Sequence, residues 1–259
     1  MIQISNLKKT FKLSKKQMIS NGDRVNFKTA VNNISFQVND NEIFGLLGPN
    51  GAGKTTTLRC LATLIEPTEG SINVNGFEGS SQGESVRREL AFLTNELKLD
   101  THFTPEYTTR FFGRLHDMPE NLIDERMKNL FDYFGVTPFR HTKISDLSTG
   151  MKQKLSIVVS LIHDPNVIIF DEPTNGLDII TARAVTDYLQ LLKDKGKTVI
   201  ISTHMMHVAE RLCDRIAIIM DGEIKAIGTI GEIYTLTGQD NLDDAFFKLY
   251  NNSGGDYNV

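Results

Sequence analysis

The residues with the most explicit chemistry fall in two short runs. The first is Gly48-Pro49-Asn50-Gly51-Ala52-Gly53-Lys54-Thr55-Thr56. It follows the apolar run Ile43-Phe44-Gly45-Leu46-Leu47, which reads as a buried strand, and precedes residues 57–62, which can begin a helix. Strand, loop and helix are the context that the phosphate-loop pattern GxxxxGK[ST] requires. Gly48, Gly51 and Gly53 would let the backbone take conformations that a β-carbon forbids, so that successive N–H groups converge on phosphate oxygens. A helix starting near Lys54 adds its positive end to that anion site. The Lys54 ammonium can reach the β and γ phosphates, and the Thr55 hydroxyl can hold Mg2+. Against a chance glycine turn ahead of a helix, the satisfied flanking context favours a nucleoside triphosphate site.

The second run is Val167-Ile168-Ile169-Phe170-Asp171-Glu172, a continuous apolar strand that ends in two acids. An open parallel sheet keeps its ligand at the carboxyl ends of its strands. Asp171 there can hold a Mg2+ shell, and Glu172 can orient and polarise the water that attacks a γ-phosphate. The plainer alternative is a pair of surface acids closing a strand. It is weakened because Pro173-Thr174 and Gly176-Leu177-Asp178 follow, in a chain that already carries a phosphate loop.

These groups need a scaffold, and 259 residues are ample for a core. The net charge of −4 gives no global electrostatic reason to bind nucleic acid. Cys60 and Cys213 stand far apart with no CxxC partner, so they read as core thiols of a reducing compartment. Residues 1–7 lack the blocks of a signal peptide, and the longest apolar runs fall far short of a membrane span. The chain reads as soluble and cytoplasmic; work at a membrane would need another polypeptide to place it there.

Along the chain, Ile2-Gln3-Ile4-Ser5-Asn6-Leu7 and Ile34-Ser35-Phe36-Gln37-Val38 alternate as half-exposed strands. Between them the chain is polar over residues 14–28, with Lys8, Lys9, Lys12, Lys15 and Lys16 around Phe11 and a turn signal at Asn21-Gly22-Asp23. The expectation is a small antiparallel sheet with one long solvated hairpin, its lysines a solvated face. Residues 70–76 form a further short strand. From Thr104 to Asp146 strand signals vanish: Phe111, Phe112 and Leu115 share one helical face, and Leu122, Met127, Leu130, Phe131 and Phe134 share another before Gly135. Ser148 is suited to cap the helix carrying Leu155, Val158, Val159 and Ile162. Strands at residues 198–202 and 215–220 alternate with helical patterns, the mark of a parallel α/β sheet. Asp221-Gly222 turns into a hairpin strand, a last amphipathic helix covers 243–250, and 251–259 reads as a disordered tail.

Taken together, Gly48 to Thr56, Leu147-Ser148-Thr149-Gly150-Met151-Lys152-Gln153-Lys154, Phe170 to Thr174, Gly176 to Asp178 and Ser202-Thr203-His204 resemble, in order and approximate spacing, the ATPase subunits of ABC transporters. The likeness covers nearly the whole chain. The run Ser-Thr-Gly-Met-Lys-Gln-Lys, with Phe111-Phe112-Gly113-Arg114-Leu115 upstream, resembles the sodium-extrusion (NatA-like) branch of the ABC-2 exporters. The resemblance implies an α/β fold: a P-loop NTPase core with a parallel sheet, an N-terminal antiparallel β-subdomain and an inserted α-helical subdomain. Its implied boundaries are residues 1–103 and 147–228 for the core, 104–146 for the helical insert, 229–250 for C-terminal helices and 251–259 for the tail.

The resemblance further implies ATP and Mg2+ as ligands, a homodimer or paired ATPase, and a separate transmembrane permease subunit that holds the chain at the inner face of the membrane and exports Na+, a drug or a peptide. ATP would lie between the phosphate loop and Asp171 of one copy and Ser148, Thr149, Gly150 and Met151 of the other. His204 would contact the γ-phosphate and support Glu172, and Asp178 would lie in the D-loop. Phe11 falls where the family stacks a tyrosine on adenine, its alternative being a core residue of the N-terminal sheet. Asn95, in Thr94-Asn95-Glu96, stands where a glutamine is expected to meet Mg2+ and the membrane subunit. Thr149 and Met151 depart from the LSGGQ signature. A non-transport ABC-type ATPase is the competing reading, but no long coiled coil separates Lys54 from Asp171 and only one ATPase half is present.

Overall fold

The computed structural model describes residues 1–13, 26–94 and 99–252. Two sheets share the scaffold. Strands β1 (Ile2–Lys12), β2 (Phe27–Val38), β4 (Glu69–Val74) and β5 (Phe77–Glu78) form an antiparallel sheet in the order β2-β1-β4-β5. Strands β3 (Ile43–Leu47), β6 (Leu90–Leu93), β7 (Val167–Asp171), β8 (Thr198–Thr203), β9 (Arg215–Met220) and β10 (Glu223–Thr229) form the second, in the order β10-β9-β3-β8-β7-β6. Its pairings are parallel except for the β9–β10 hairpin.

Strand sequences explain this arrangement. Ile43, Phe44, Leu46 and Leu47 are all buried, because β3 has apolar neighbours on both faces. Phe44 and Leu46 point into a core shared with the antiparallel sheet, where Phe36 stacks on Phe44 at 5.3 Å. Ile43 and Leu47 point into a second core built by helices. Helix α1 (Lys54–Leu61) lies in the first core through Leu58 and Leu61, and α2 (Gly83–Glu89) joins it through Val86.

The opposite face carries α3 (Pro105–Leu115), α4 (Glu120–Phe134), α5 (Thr149–Leu161), α6 (Ile179–Asp194), α7 (Met206–Leu212), α8 (Ile230–Thr237) and α9 (Leu242–Asn252). Thr104 caps α3 by accepting from the Tyr107 N–H, and Gly135 ends α4 in the left-handed conformation. Among the described residues no helix is long and apolar enough to cross a membrane.

Three details differ from the sequence reading. The stripe Phe111, Phe112 and Leu115 does not face the core as a unit: Phe111 and Leu115 are 50% and 64% exposed. The reason is Gly113, where a β-carbon would lie 2.8 Å from Ile123; α3 packs on α4 through its small residues and turns the large ones outward. Strand β1 runs on to Lys12 rather than ending near Leu7. The last helix continues through Asn251 and Asn252, which the sequence placed in a disordered tail; residues 253–259 lie outside the described residues, as do Lys15, Lys16 and the turn signal at 21–23. Both cysteines are buried thiols, and burial pushes Cys60 up to about 11.

Candidate functional site

Strand order brings the chemistry together. β8 lies between β3 and β7, so the carboxyl ends of these strands deliver Gly48, Asp171 and Glu172, and Thr203 and His204 to one edge. The Gly48 N–H donates to the Thr203 carbonyl at 3.3 Å, tying the loop to its neighbouring strand.

Two glycines in the loop have different causes. Gly53 has φ 103°, and a β-carbon there would also lie 2.4 Å from the Ala30 carbonyl oxygen. Gly48 corrects the expectation of unusual backbone angles: its φ is ordinary, but a β-carbon would sit 2.2 Å from the Ile219 carbonyl. A glycine is required there by close approach rather than by conformation. Ala30 on β2 and Gly222 in the β9–β10 turn, whose N–H donates to the Ala52 carbonyl at 3.0 Å, clamp the loop from outside. Neither was visible in the sequence, since both act through backbone atoms.

Lys54 is 5% exposed, and its ammonium donates to the Gly48 carbonyl at 2.6 Å and the Pro49 carbonyl at 3.2 Å. It stands 3.6 Å from Glu172 Oε1. Burial lowers the Lys54 pKa, and the charges of Glu172 and Asp171 oppose that shift. The Thr55 hydroxyl donates to Asp171 Oδ1 at 3.1 Å, joining the two runs that the sequence singled out.

Glu172 has φ 54°, a left-handed backbone uncommon outside glycine and found at sites that store strain. The turn aims its carboxylate at His204, whose Nδ1 lies 3.0 Å from both carboxylate oxygens. An ionised carboxylate only accepts, so Nδ1 carries the proton and donates. Nε2 can then donate to a phosphate only when the imidazole is charged.

Hard oxygen donors meet here: one carboxylate and one hydroxyl, in contact, beside a phosphate cradle. That set suits Mg2+, which takes one or two protein ligands and completes its shell with water and substrate phosphates. Accordingly, among the described residues no group of three or more His, Cys, Asp or Glu could hold a metal alone.

Ser148 caps α5, its Oγ accepting from the Met151 N–H at 3.3 Å; Ser148 and Thr149 are exposed, while Gly150 and Met151 are half-buried. Asp178 caps α6 by accepting from the Ile180 and Thr181 N–H groups at 3.0 Å, and the Thr181 hydroxyl lowers its pKa. Phe11 is exposed, with the Lys9 ammonium 5.2 Å from its ring centroid, so the core alternative for this residue falls. Asn95 lies outside the described residues.

Residues 31–175 match the protein family described as ABC transporter. The chain is 35% identical over 227 residues to the ABC transporter ATP-binding protein NatA of Bacillus subtilis, covering 87% of this chain and 92% of that protein. It is 34% identical over 215 residues to the linearmycin resistance ATP-binding protein LnrL of the same organism, covering 83% and 69%. A solved ATP-binding subunit of an ABC transporter superimposes with a TM-score of 0.84 at 29% identity, covering 96% of this chain and 99% of that one.

Proposed function

The chain belongs to the ABC transporter family as an ATP-binding subunit that hydrolyses ATP to drive transport, and from that premise we propose how its residues divide the work. The observation that carries the proposal is the Thr55–Asp171 hydrogen bond at 3.1 Å, with Lys54, Glu172 and His204 gathered around it.

N–H groups of the 48–56 loop and the first turn of α1 orient the triphosphate, and Lys54 exchanges its carbonyl partners for phosphate oxygens. Thr55 and Asp171 would hold Mg2+, which would supply positive charge against that of the triphosphate when bound. Glu172 accepts a proton from the water whose oxygen attacks the γ-phosphorus as the bond from that phosphorus to the β–γ bridging oxygen breaks and ADP leaves, and His204 fixes the Glu172 carboxylate. Phe11 offers a ring face to the base.

Ser148 and Thr149 are exposed at the tip of α5. We assign Ser148, Thr149, Gly150 and Met151 to the γ-phosphate of a second copy, with Asp178 and its D-loop at the same interface; the working unit is then a dimer with ATP between copies. A largely apolar groove of about 280 Å3 lies where the insert 104–146 begins, lined by Tyr107, Phe111 and Phe112 of the insert and by Leu99 and Phe103 just before it. Contiguous exposed apolar surface marks an interaction site, and a membrane permease subunit is the partner proposed for it, which places the chain at the membrane surface. Export is the direction favoured, on the wording of Ser148 to Lys154 and the likeness to a resistance protein.

The test is Glu172→Gln with and without Ser148→Arg. Glu172→Gln should bind ATP, slow turnover by about 10^2–10^4-fold, and sediment as a dimer with ATP. Adding Ser148→Arg should keep ATP binding and abolish that dimer. A single mutant that hydrolyses ATP at the wild-type rate, or a double mutant that still dimerises, overturns the corresponding assignment.

A further inference from the structure

Asp171 and Glu172 are adjacent in sequence, yet a residue with no role so far holds them relative to each other. Ser202 is the penultimate residue of β8, fully buried, and pairs in register with Asp171. Its hydroxyl donates to Asp171 Oδ1, the same oxygen that accepts from Thr55. The same hydroxyl accepts from the Glu172 N–H at 3.0 Å, and the Ser202 carbonyl accepts from that N–H at 3.2 Å. One hydroxyl thus spans the carboxylate directed at the metal and the backbone of the residue directed at water.

Packing alone does not call for a serine at this position. Val199, Ile200 and Ile201 precede it as fully buried apolar residues, and a buried hydroxyl is costly unless its hydrogen bonds are made. Here donor and acceptor are both used, and both partners belong to the reaction site. The N–H bond falls on Glu172, whose φ of 54° needs outside support.

We propose that Ser202 is a positioning residue for ATP hydrolysis. It orients the Asp171 carboxylate toward the metal and holds the left-handed turn that points Glu172 at the attacking water. The inference rests on the roles given above to Asp171 and Glu172. Partners one shell beyond metal ligands are worth about 10–100-fold in metal affinity or activity.

The experiment uses the full chain with Ser202→Ala, Ser202→Thr and Ser202→Cys, and Glu172→Gln in parallel. Steady-state hydrolysis gives kcat and KM; equilibrium titration with a fluorescent ATP analogue is run in EDTA and across Mg2+ concentrations. Ser202→Ala should bind the analogue in EDTA within about twofold of wild type, need about 10-fold more Mg2+ for the metal-dependent change, and lose about 10–100-fold in kcat with little change in KM. Ser202→Thr, which keeps the hydroxyl, should restore most of both. Ser202→Cys, of similar size but a weak donor, should fall between them and carries the test if the alanine variant does not fold.

Wild-type kcat and Mg2+ response in Ser202→Ala, alongside a slow Glu172→Gln, would sink the role of Ser202 alone. Loss of analogue binding in EDTA would reduce the hydroxyl to a structural one and also overturn it. A Glu172→Gln enzyme as fast as wild type would instead remove the reading on which the inference rests.

Discussion

The phosphate loop and the tip of α5 are both glycine-bearing starts of helices, and they are finished in opposite ways. In the loop, Gly48 is pressed against the Ile219 carbonyl, Gly53 against the Ala30 carbonyl, and Lys54 is almost wholly buried. At the tip, Ser148 and Thr149 are exposed, and a β-carbon on Gly150 would meet nothing within 4 Å. Local chemistry is similar: backbone N–H groups and a helix dipole aimed at an anion. The difference is who supplies the walls. Contacts within the chain shape the cradle, whereas the tip leaves Ser148 and Thr149 exposed and open space beside Gly150.

Alanine scanning of these glycines breaks or sharpens the contrast. Gly48→Ala should have the largest effect, about 3 kcal/mol of stability lost, because the 2.2 Å clash is with backbone that cannot swing away; chemical denaturation measures it, and an unchanged midpoint would show the cradle to be adjustable. The base of α5 should respond next, and only to acid. There the Arg126 guanidinium donates to the Leu161 and Ile162 carbonyls at 3.1 and 2.7 Å and pairs with Asp164. His163 stacks on His116 at 3.8 Å, and its Nε2 lies 3.4 Å from the Leu90 carbonyl.

Burial, helped by His116, pushes the His163 imidazole down to about 4 from 6.5. Below pH 6.5 the unfolded chain therefore binds the proton that the folded chain refuses, so stability falls as pH drops toward 4 and the loss levels off below it. Between pH 7 and pH 5 this amounts to about 2 kcal/mol. His163→Phe, which keeps a ring for the stack, should flatten that part of the stability profile; an unchanged slope would remove His163 as its source. Gly150→Ala should have the smallest effect on folding, leaving the melting temperature unchanged within about 2 °C, yet cost about 10-fold in ATPase rate, equivalent to about 1.4 kcal/mol. Equal losses of stability at Gly48 and Gly150 would erase the distinction between a walled and an open site.

Local patterns announced the phosphate loop, the acid-ended strand and the Ser148 cap because each depends on residue types at fixed spacing along one segment. Helix α4 was legible for the same reason, since Met127, Leu130, Phe131 and Phe134 keep a 3.6-residue period and are buried, but Leu122, grouped with them, is exposed and Ile123 is buried in its place. Phe111 and Leu115 keep a similar period on α3 yet face outward, because periodicity identifies a face but not what covers it. Ser202 was in plain view inside Ser-Thr-His, but nothing along the chain says that β8 will lie between β3 and β7.

What the sequence determined by itself was the set of reactive groups and the segments that carry them. Those are matters of short-range geometry, written within a few residues of each group. Only the tertiary structure decided that Asp171 meets Thr55, that Ser202 spans two carboxylate residues, and that Gly48 answers to a carbonyl on β9. These contacts join residues far apart in the chain, so they exist only once burial of the two cores has fixed the order of the strands.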